Sequence, residues 1–131
     1  MKNIYSDNCA LIIDNVEKIK NVGELKKILR HHNIKNIIVS TENLEFLNEL
    51  KDTLNNNDIE VFGMAINSKQ KNIHILNVEV SGYFNNFYRN FLIISEAKVV
   101  IFVLKNNFNL FEREYEISKA TGKVCYVINA I

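Results

Sequence analysis

Three carboxylates spaced by two, Glu112, Glu114 and Glu116, fall in one short stretch of the chain with Arg113 and Lys119 among them. If the stretch is helical, Glu112 and Glu116 share a face and Glu114 does not. Carboxylates placed together are the residue types of general acid–base and nucleophilic work, so Glu112 and Glu116 are the catalytic candidates. A plainer role competes with this one. Acidic residues are preferred in the first turn of a helix, and Arg113 and Lys119 can pair with them, which favours the structural reading. The other chemically versatile side chains are scattered. Cys9 and Cys125 lie far apart, each inside an apolar run, as small core residues of a reducing compartment would. A zinc site would need clustered Cys and His, and the sequence has no such cluster. His31 and His32 are adjacent at an expected helix end, where they complement the negative dipole.

The elements that must position these groups are legible as apolar runs between polar segments. Runs at 9–13, 36–39, 59–66, 99–104 and 124–128 are apolar almost throughout rather than alternating, the signature of strands buried on both faces of a parallel sheet. Helices are expected between them. Asn21 with Glu24 has the form of a capping box ahead of Leu25, Ile28 and Leu29. Thr41 is placed to cap the next helix, with Leu44, Leu47, Leu50 and Leu54 facing inward. Phe84, Phe87, Tyr88, Phe91 and Leu92 mark a third helix. Asn109 with Glu112 has the form of a second capping box, opening a helix that stops at Gly122, where a left-handed C′ glycine belongs. The segment 69–80 breaks the rhythm. Its Ile73, Ile75, Val78 and Val80 fit a short extra strand or an extended connection. The expected fold is a single α/β domain over 1–131: a three-layer, Rossmann-like, doubly wound and mainly parallel sheet of about five strands.

In such a sheet ligands bind beyond the C-terminal ends of the strands. Here that rim gathers Asp14 and Asn15, Ser40, Thr41 and Glu42, Asn67 and Ser68, and the segment 105–109 with Asn106, Asn107 and Asn109. Glycine is what the rim lacks. The turn after the first strand reads Asp14-Asn15-Val16-Glu17-Lys18, so there is no dinucleotide fingerprint, and no Walker-type loop occurs either.

Composition narrows the classes further. The 131 residues are 47% hydrophobic and 24% charged, enough for one core without a metal or disulfide staple. A net charge of +1 argues against a partner held by bulk electrostatics, although Lys26, Lys27, Arg30, His31, His32 and Lys35 form a local basic cluster. No apolar run has the length of a membrane span, and the N-terminus has no apolar stretch ending in small residues, so a cytoplasmic protein is expected. Asparagine supplies 21 of 131 residues and proline none, a bias that an AT-rich genome produces by itself.

The text Arg89-Asn90-Phe91-Leu92-Ile93-Ile94-Ser95-Glu96-Ala97, followed by the apolar run 99–104, resembles the Rossmann-like domain of the DNA-processing DprA/Smf proteins and the wider SLOG group of nucleotide-sensing domains. Those families have an Arg-Asn pair opening a helix, a Ser-Asp-Ala-like turn into an apolar strand, a small-residue anion loop, a helix, and Gly-Arg or Gly-Lys into the last strand. The chain has Arg89-Asn90, Ser95-Glu96-Ala97, the segment 106–111 and Gly122-Lys123 in the same order, and Ile37-Ile38-Val39-Ser40 is similar to the family's second strand. It departs from them where their glycines would hold phosphates: Ser40-Thr41-Glu42-Asn43 and Asn109-Leu110-Phe111 stand there instead. The resemblance implies a non-enzymatic module that holds a nucleotide or single-stranded nucleic acid through Asp14, Asn15, Ser40, Thr41, Arg89, Asn90, Asn106, Asn107 and Asn109, with no cofactor or metal. Two other expectations stand beside it. The helix with Tyr83, Phe84, Phe87, Tyr88 and Phe91 is aromatic enough to form a homodimer face, although core packing is the simpler account of it. The text Tyr115-Glu116-Ile117-Ser118-Lys119-Ala120 is loosely similar to nucleoside deoxyribosyltransferases and TIR-type NAD hydrolases, which implies N-glycosidic chemistry at Glu116 or Glu112.

Overall fold

A computed structural model describes residues 7–14, 19–54, 58–67, 74–79, 85–105 and 109–129. The strands are β1 (Asn8–Ile13), β2 (Asn36–Val39), β3 (Glu60–Ile66), β4 (Ile75–Val78), β5 (Val99–Leu104) and β6 (Val124–Asn129). The helices are α1 (Val22–His31), α2 (Leu44–Thr53), α3 (Asn85–Ser95) and α4 (Glu112–Ala120). All six strands pair in parallel in the order β4-β3-β2-β1-β5-β6. This is a Rossmann-like α/β fold, its sheet growing one way from β1 to β4 and the other way through β5 and β6.

The sheet has one strand more than expected. Within the segment 69–80, β4 pairs with β3, aligning Ile75 with Gly63 and Val78 with Ile66. It is the short extra strand that Ile75 and Val78 suggest, a four-residue edge strand in which Ile75 is buried while Leu76 and Asn77 are exposed; Ile73 and Val80 lie outside the described residues. The five apolar runs are strands; burial on both faces explains the lack of alternation in β1, β2 and β5, whereas β6 at the sheet edge has only Ile128 buried. In β5 all six side chains are buried.

Alternate strand positions feed two cores. Cys9, Leu11, Ile37, Val39, Ile101 and Val103 meet Leu25, Ile28 and Leu29 of α1 and Phe46, Leu47 and Leu50 of α2 on one face. Ala10, Ile12, Ile38, Val100 and Phe102 meet Ile93 and Ile94 of α3 on the other, where the Tyr115 ring of α4 also lies 5.7 Å from that of Phe102. The aromatic stripe expected to pack α3 does not do so. Tyr88 and Phe91 are 46% and 40% exposed, and the buried face of the helix runs through Asn90, Ile93 and Ile94. Tyr83 and Phe84 lie outside the described residues.

The helix ends differ from expectation in their chemistry. Asn21 is the N-cap of α1 but forms no side-chain cap; its Nδ2 donates to the Asn129 carbonyl at the end of β6. In α2 the cap is Asn43, whose Oδ1 accepts from the amides of Glu45 and Phe46, while Thr41 Oγ1 accepts from the Asn43 amide. The N-cap of α4 is Phe111, which forms no side-chain cap, and the Asn109 carbonyl accepts from the Glu112 amide. Gly122 fulfils its expected role at φ +79°, where the amides of Gly122 and Lys123 donate to the carbonyls of Lys119 and Ser118 in a Schellman closure. Asn33 ends α1 the same way at φ 55°.

His32 does more than complement a dipole. Its Nε2 is hydrogen-bonded to the Tyr126 hydroxyl at 2.7 Å, and desolvation, with repulsion from His31 and Lys98, lowers its pKa from the ordinary value. Both cysteines are free, Cys9 wholly buried and Cys125 half-buried, and burial raises both thiol pKa values. Among the described residues no helix is long and apolar enough to cross a membrane, and no group of three His, Cys, Asp or Glu could hold a metal ion.

Candidate functional site

The point where the sheet changes its direction of growth lies between β1 and β5, and their C-terminal ends open the candidate site. Asp14 leaves β1 there, half-exposed, with its amide donating to the Val103 carbonyl of β5. Next to it, Ser40 ends β2. The Ser40 hydroxyl is buried and accepts from the Ile13 amide at 2.9 Å, so this side chain closes the β1–β2 ladder instead of facing outward. Thr41 follows, its amide turned back to the Val39 carbonyl and its hydroxyl engaged by Asn43.

The Ser40–Asn43 turn can lie this close to the sheet because of a glycine in a neighbouring strand. A Cβ added at Gly63 in β3 would collide with the Thr41 carbonyl oxygen and stand 2.6 Å from Leu47 Cδ1. Glycine is thus used on this rim, one strand away from the β-α turns where phosphate-binding motifs carry it. A scan for local motifs misses it, because the close approach joins residues more than twenty positions apart.

Arg89 on α3 reaches the same rim. Burial pulls its guanidinium below the ordinary arginine value, and the Glu42 carboxylate acts against that shift. Its Nε is buried with no hydrogen-bond partner among the described residues. Asn90, its neighbour in sequence, points elsewhere. It is 3% exposed and its Nδ2 donates to Glu114 Oε2 at 3.0 Å across the α3–α4 contact. The Asn90 Oδ1 is buried and has no partner among the described residues.

The carboxylates divide in a way the spacing alone does not show. Glu112 and Glu116 are exposed, and they line an open depression of about 390 Å³ with Asn109, Leu110 and Arg113. Glu114, which the helix-face argument set aside, is the buried one at 7% exposure. Ser118 donates to the Glu114 backbone carbonyl at 2.7 Å, so the interior line of α4 is Glu114–Ser118. Arg113 lies over the Phe87 ring of α3, 5.7 Å from its centroid.

The structure therefore brings Asp14, Ser40, Thr41 and Arg89 to one rim, places Asn109, Glu112 and Glu116 around a separate open depression, and turns Asn90 into the α3–α4 interface. Asn15, Asn106 and Asn107 lie outside the described residues. Among the groups present, one guanidinium with an unused donor beside the backbone of a tight turn suits an anionic or strongly accepting ligand. No family model, no curated protein and no solved structure matches the chain.

Proposed function

We propose that the chain is a non-enzymatic binding module, of the kind the DprA/SLOG resemblance implies, that holds a nucleotide-type ligand or a short single strand of nucleic acid at the C-terminal rim of the sheet. The observation that carries this reading is Arg89. A buried guanidinium Nε without an acceptor costs free energy unless something supplies one. A phosphate oxygen would do so through a charge-assisted hydrogen bond once the guanidinium turns toward it. The Glu42 carboxylate favours the charged guanidinium against its burial. Two free thiols fit a reducing, cytoplasmic setting for such a module. The catalytic reading has no comparable support, because Glu112 and Glu116 stand in solvent.

The test is a thermal-shift screen with nucleoside mono-, di- and triphosphates, NAD-derived compounds and short single-stranded oligonucleotides. A ligand at a hundred times its Kd stabilises the folded state by about 2.7 kcal/mol, which reads as a rise of several degrees in Tm. Arg89→Gln should abolish that rise and Arg89→Lys should reduce it, since lysine keeps the charge but loses the fork. An unchanged Tm across the whole panel would overturn the reading.

A further inference from the structure

Strand β6 ends the sheet, so one side of its backbone has no strand beside it among the described residues. The register shows which groups face that side. The Val124 amide donates to the Lys98 carbonyl, and Val124, Cys125 and Tyr126 align with Val99, Val100 and Ile101 of β5. In a parallel ladder alternate residues direct both backbone groups to the same neighbour. Val124, Tyr126 and Ile128 therefore bond to β5, whereas Cys125 and Val127 present N–H and C=O outward. Asn129 shares the outward parity, and its carbonyl accepts from Asn21 Nδ2 at 2.9 Å.

The side chains leave this edge unguarded. Val124 and Val127 are 37% and 46% exposed, and β6 contains no proline and no charged residue. Edge strands are ordinarily protected by such residues or kept very short. The opposite edge, β4, has only four residues.

We propose that β6 pairs antiparallel with β6 of a second copy of the chain about a two-fold axis, so that the two sheets become one. With Cys125 opposite Val127 of the partner subunit, and the reverse, the outward groups of both residues are satisfied without drawing on the Asn129 carbonyl. Tyr126 then faces the partner subunit's Tyr126 in the close, non-hydrogen-bonded type of pair, with Cα atoms about 4.5 Å apart. The exposed valine gains an apolar cross-strand neighbour. Charge points to self-pairing rather than to a charged partner. The strand is neutral, and the flanking Lys123 falls opposite Asn129 of the partner subunit, roughly 20 Å along the strand from its own copy. Symmetry points the same way, because isologous pairing uses the same edge on both copies and the assembly closes.

Size-exclusion chromatography with light scattering across the micromolar range tests this on the whole chain. The expected mass is twice the 15.2 kDa of the monomer. Val127→Pro removes an outward N–H that the β5 ladder does not use, a substitution edge strands tolerate, and Val127→Lys puts a charge on the edge. Both should run at the monomer mass with an unchanged circular dichroism spectrum; if the proline variant fails to fold, the lysine variant decides. In a Cys125→Ser background, Tyr126→Cys should form an interchain disulfide on mild oxidation, because the pair is close only in this register. A wild-type protein that is monomeric throughout overturns the proposal. So does a dimer that survives Val127→Lys, which would put the interface elsewhere, for example on the exposed Tyr88–Phe91 side of α3.

Discussion

At the scale of single residues, three glutamates in one helical stretch have two different environments, and burial separates Glu114 from Glu112 and Glu116. Glu114 Oε2 accepts from Asn90 across two helices, and both residues are nearly inaccessible. Removing the carboxylate strands the Asn90 amide, whose Oδ1 has no partner among the described residues. A buried polar group left unsatisfied costs about 1–3 kcal/mol. Glu114→Ala should therefore lower the unfolding free energy measured in urea by an amount in that range, whereas Glu112→Ala and Glu116→Ala, on exposed side chains, should stay within about 0.5 kcal/mol of wild type. Equal effects of the three substitutions would show that the Asn90–Glu114 bond contributes nothing. Glu114 was hard to see in the sequence because a charged residue at an interior position reads as polar surface. Its signal was the partner Asn90 on another helix, which no window along the chain contains.

At the scale of elements, what was legible is what periodicity encodes. The five strands other than β4, the Leu25–Leu29 and Leu47–Leu50 stripes, and the Gly122 stop all follow from local pattern. Caps were read less well because asparagine is abundant and several can cap: Asn43 takes the role that Thr41 was placed to play, and Asn21 is drawn to the Asn129 carbonyl. The short β4 was legible only as an extra strand or an extended connection, because an edge strand buries too little to leave a full pattern. Tertiary approach is the other thing pattern cannot encode, and Gly63 is the case in point. Alanine there would push on a backbone carbonyl at Thr41 and on Leu47 Cδ1. Overpacking of this kind costs about 1–3 kcal/mol. Gly63→Ala should lose stability in that range in urea denaturation, and in a Leu47→Ala background, itself destabilised by the lost core side chain, it should still cost part of that amount, because the Thr41 carbonyl remains. No cost of Gly63→Ala in that background would mean that the glycine accommodates the leucine alone and has no part in setting the rim.

At the scale of the whole molecule, the sheet places its most buried strands beside its candidate site. β1 lies between β2 and β5, and β5 between β1 and β6, so each pairs on both sides and is covered by helices on both faces. Their backbone amides can exchange with solvent only when the sheet opens globally. β4 is paired on one side over four residues and carries two exposed side chains, so local opening is enough to release it. Hydrogen–deuterium exchange should therefore rank β1 and β5 slowest, β2 and β3 next, and β4 fast. β6 discriminates between the assembly states. As a free edge it should exchange with β4, at least at Cys125 and Val127, whose amides point outward; paired in a dimer it should be protected in a concentration-dependent way. Asp14 sits at the end of β1 with its amide bonded to Val103 of β5, and Thr41 follows β2 with its amide bonded to Val39, so this rim is held by strands paired on both sides. A ligand seated there meets groups whose ordering is complete before it arrives, which lowers the entropic cost of binding. Its protection should then be confined to the turns after β1 and β2 and to α3 around Arg89. Protection spread evenly over the sheet would count against a site at the rim.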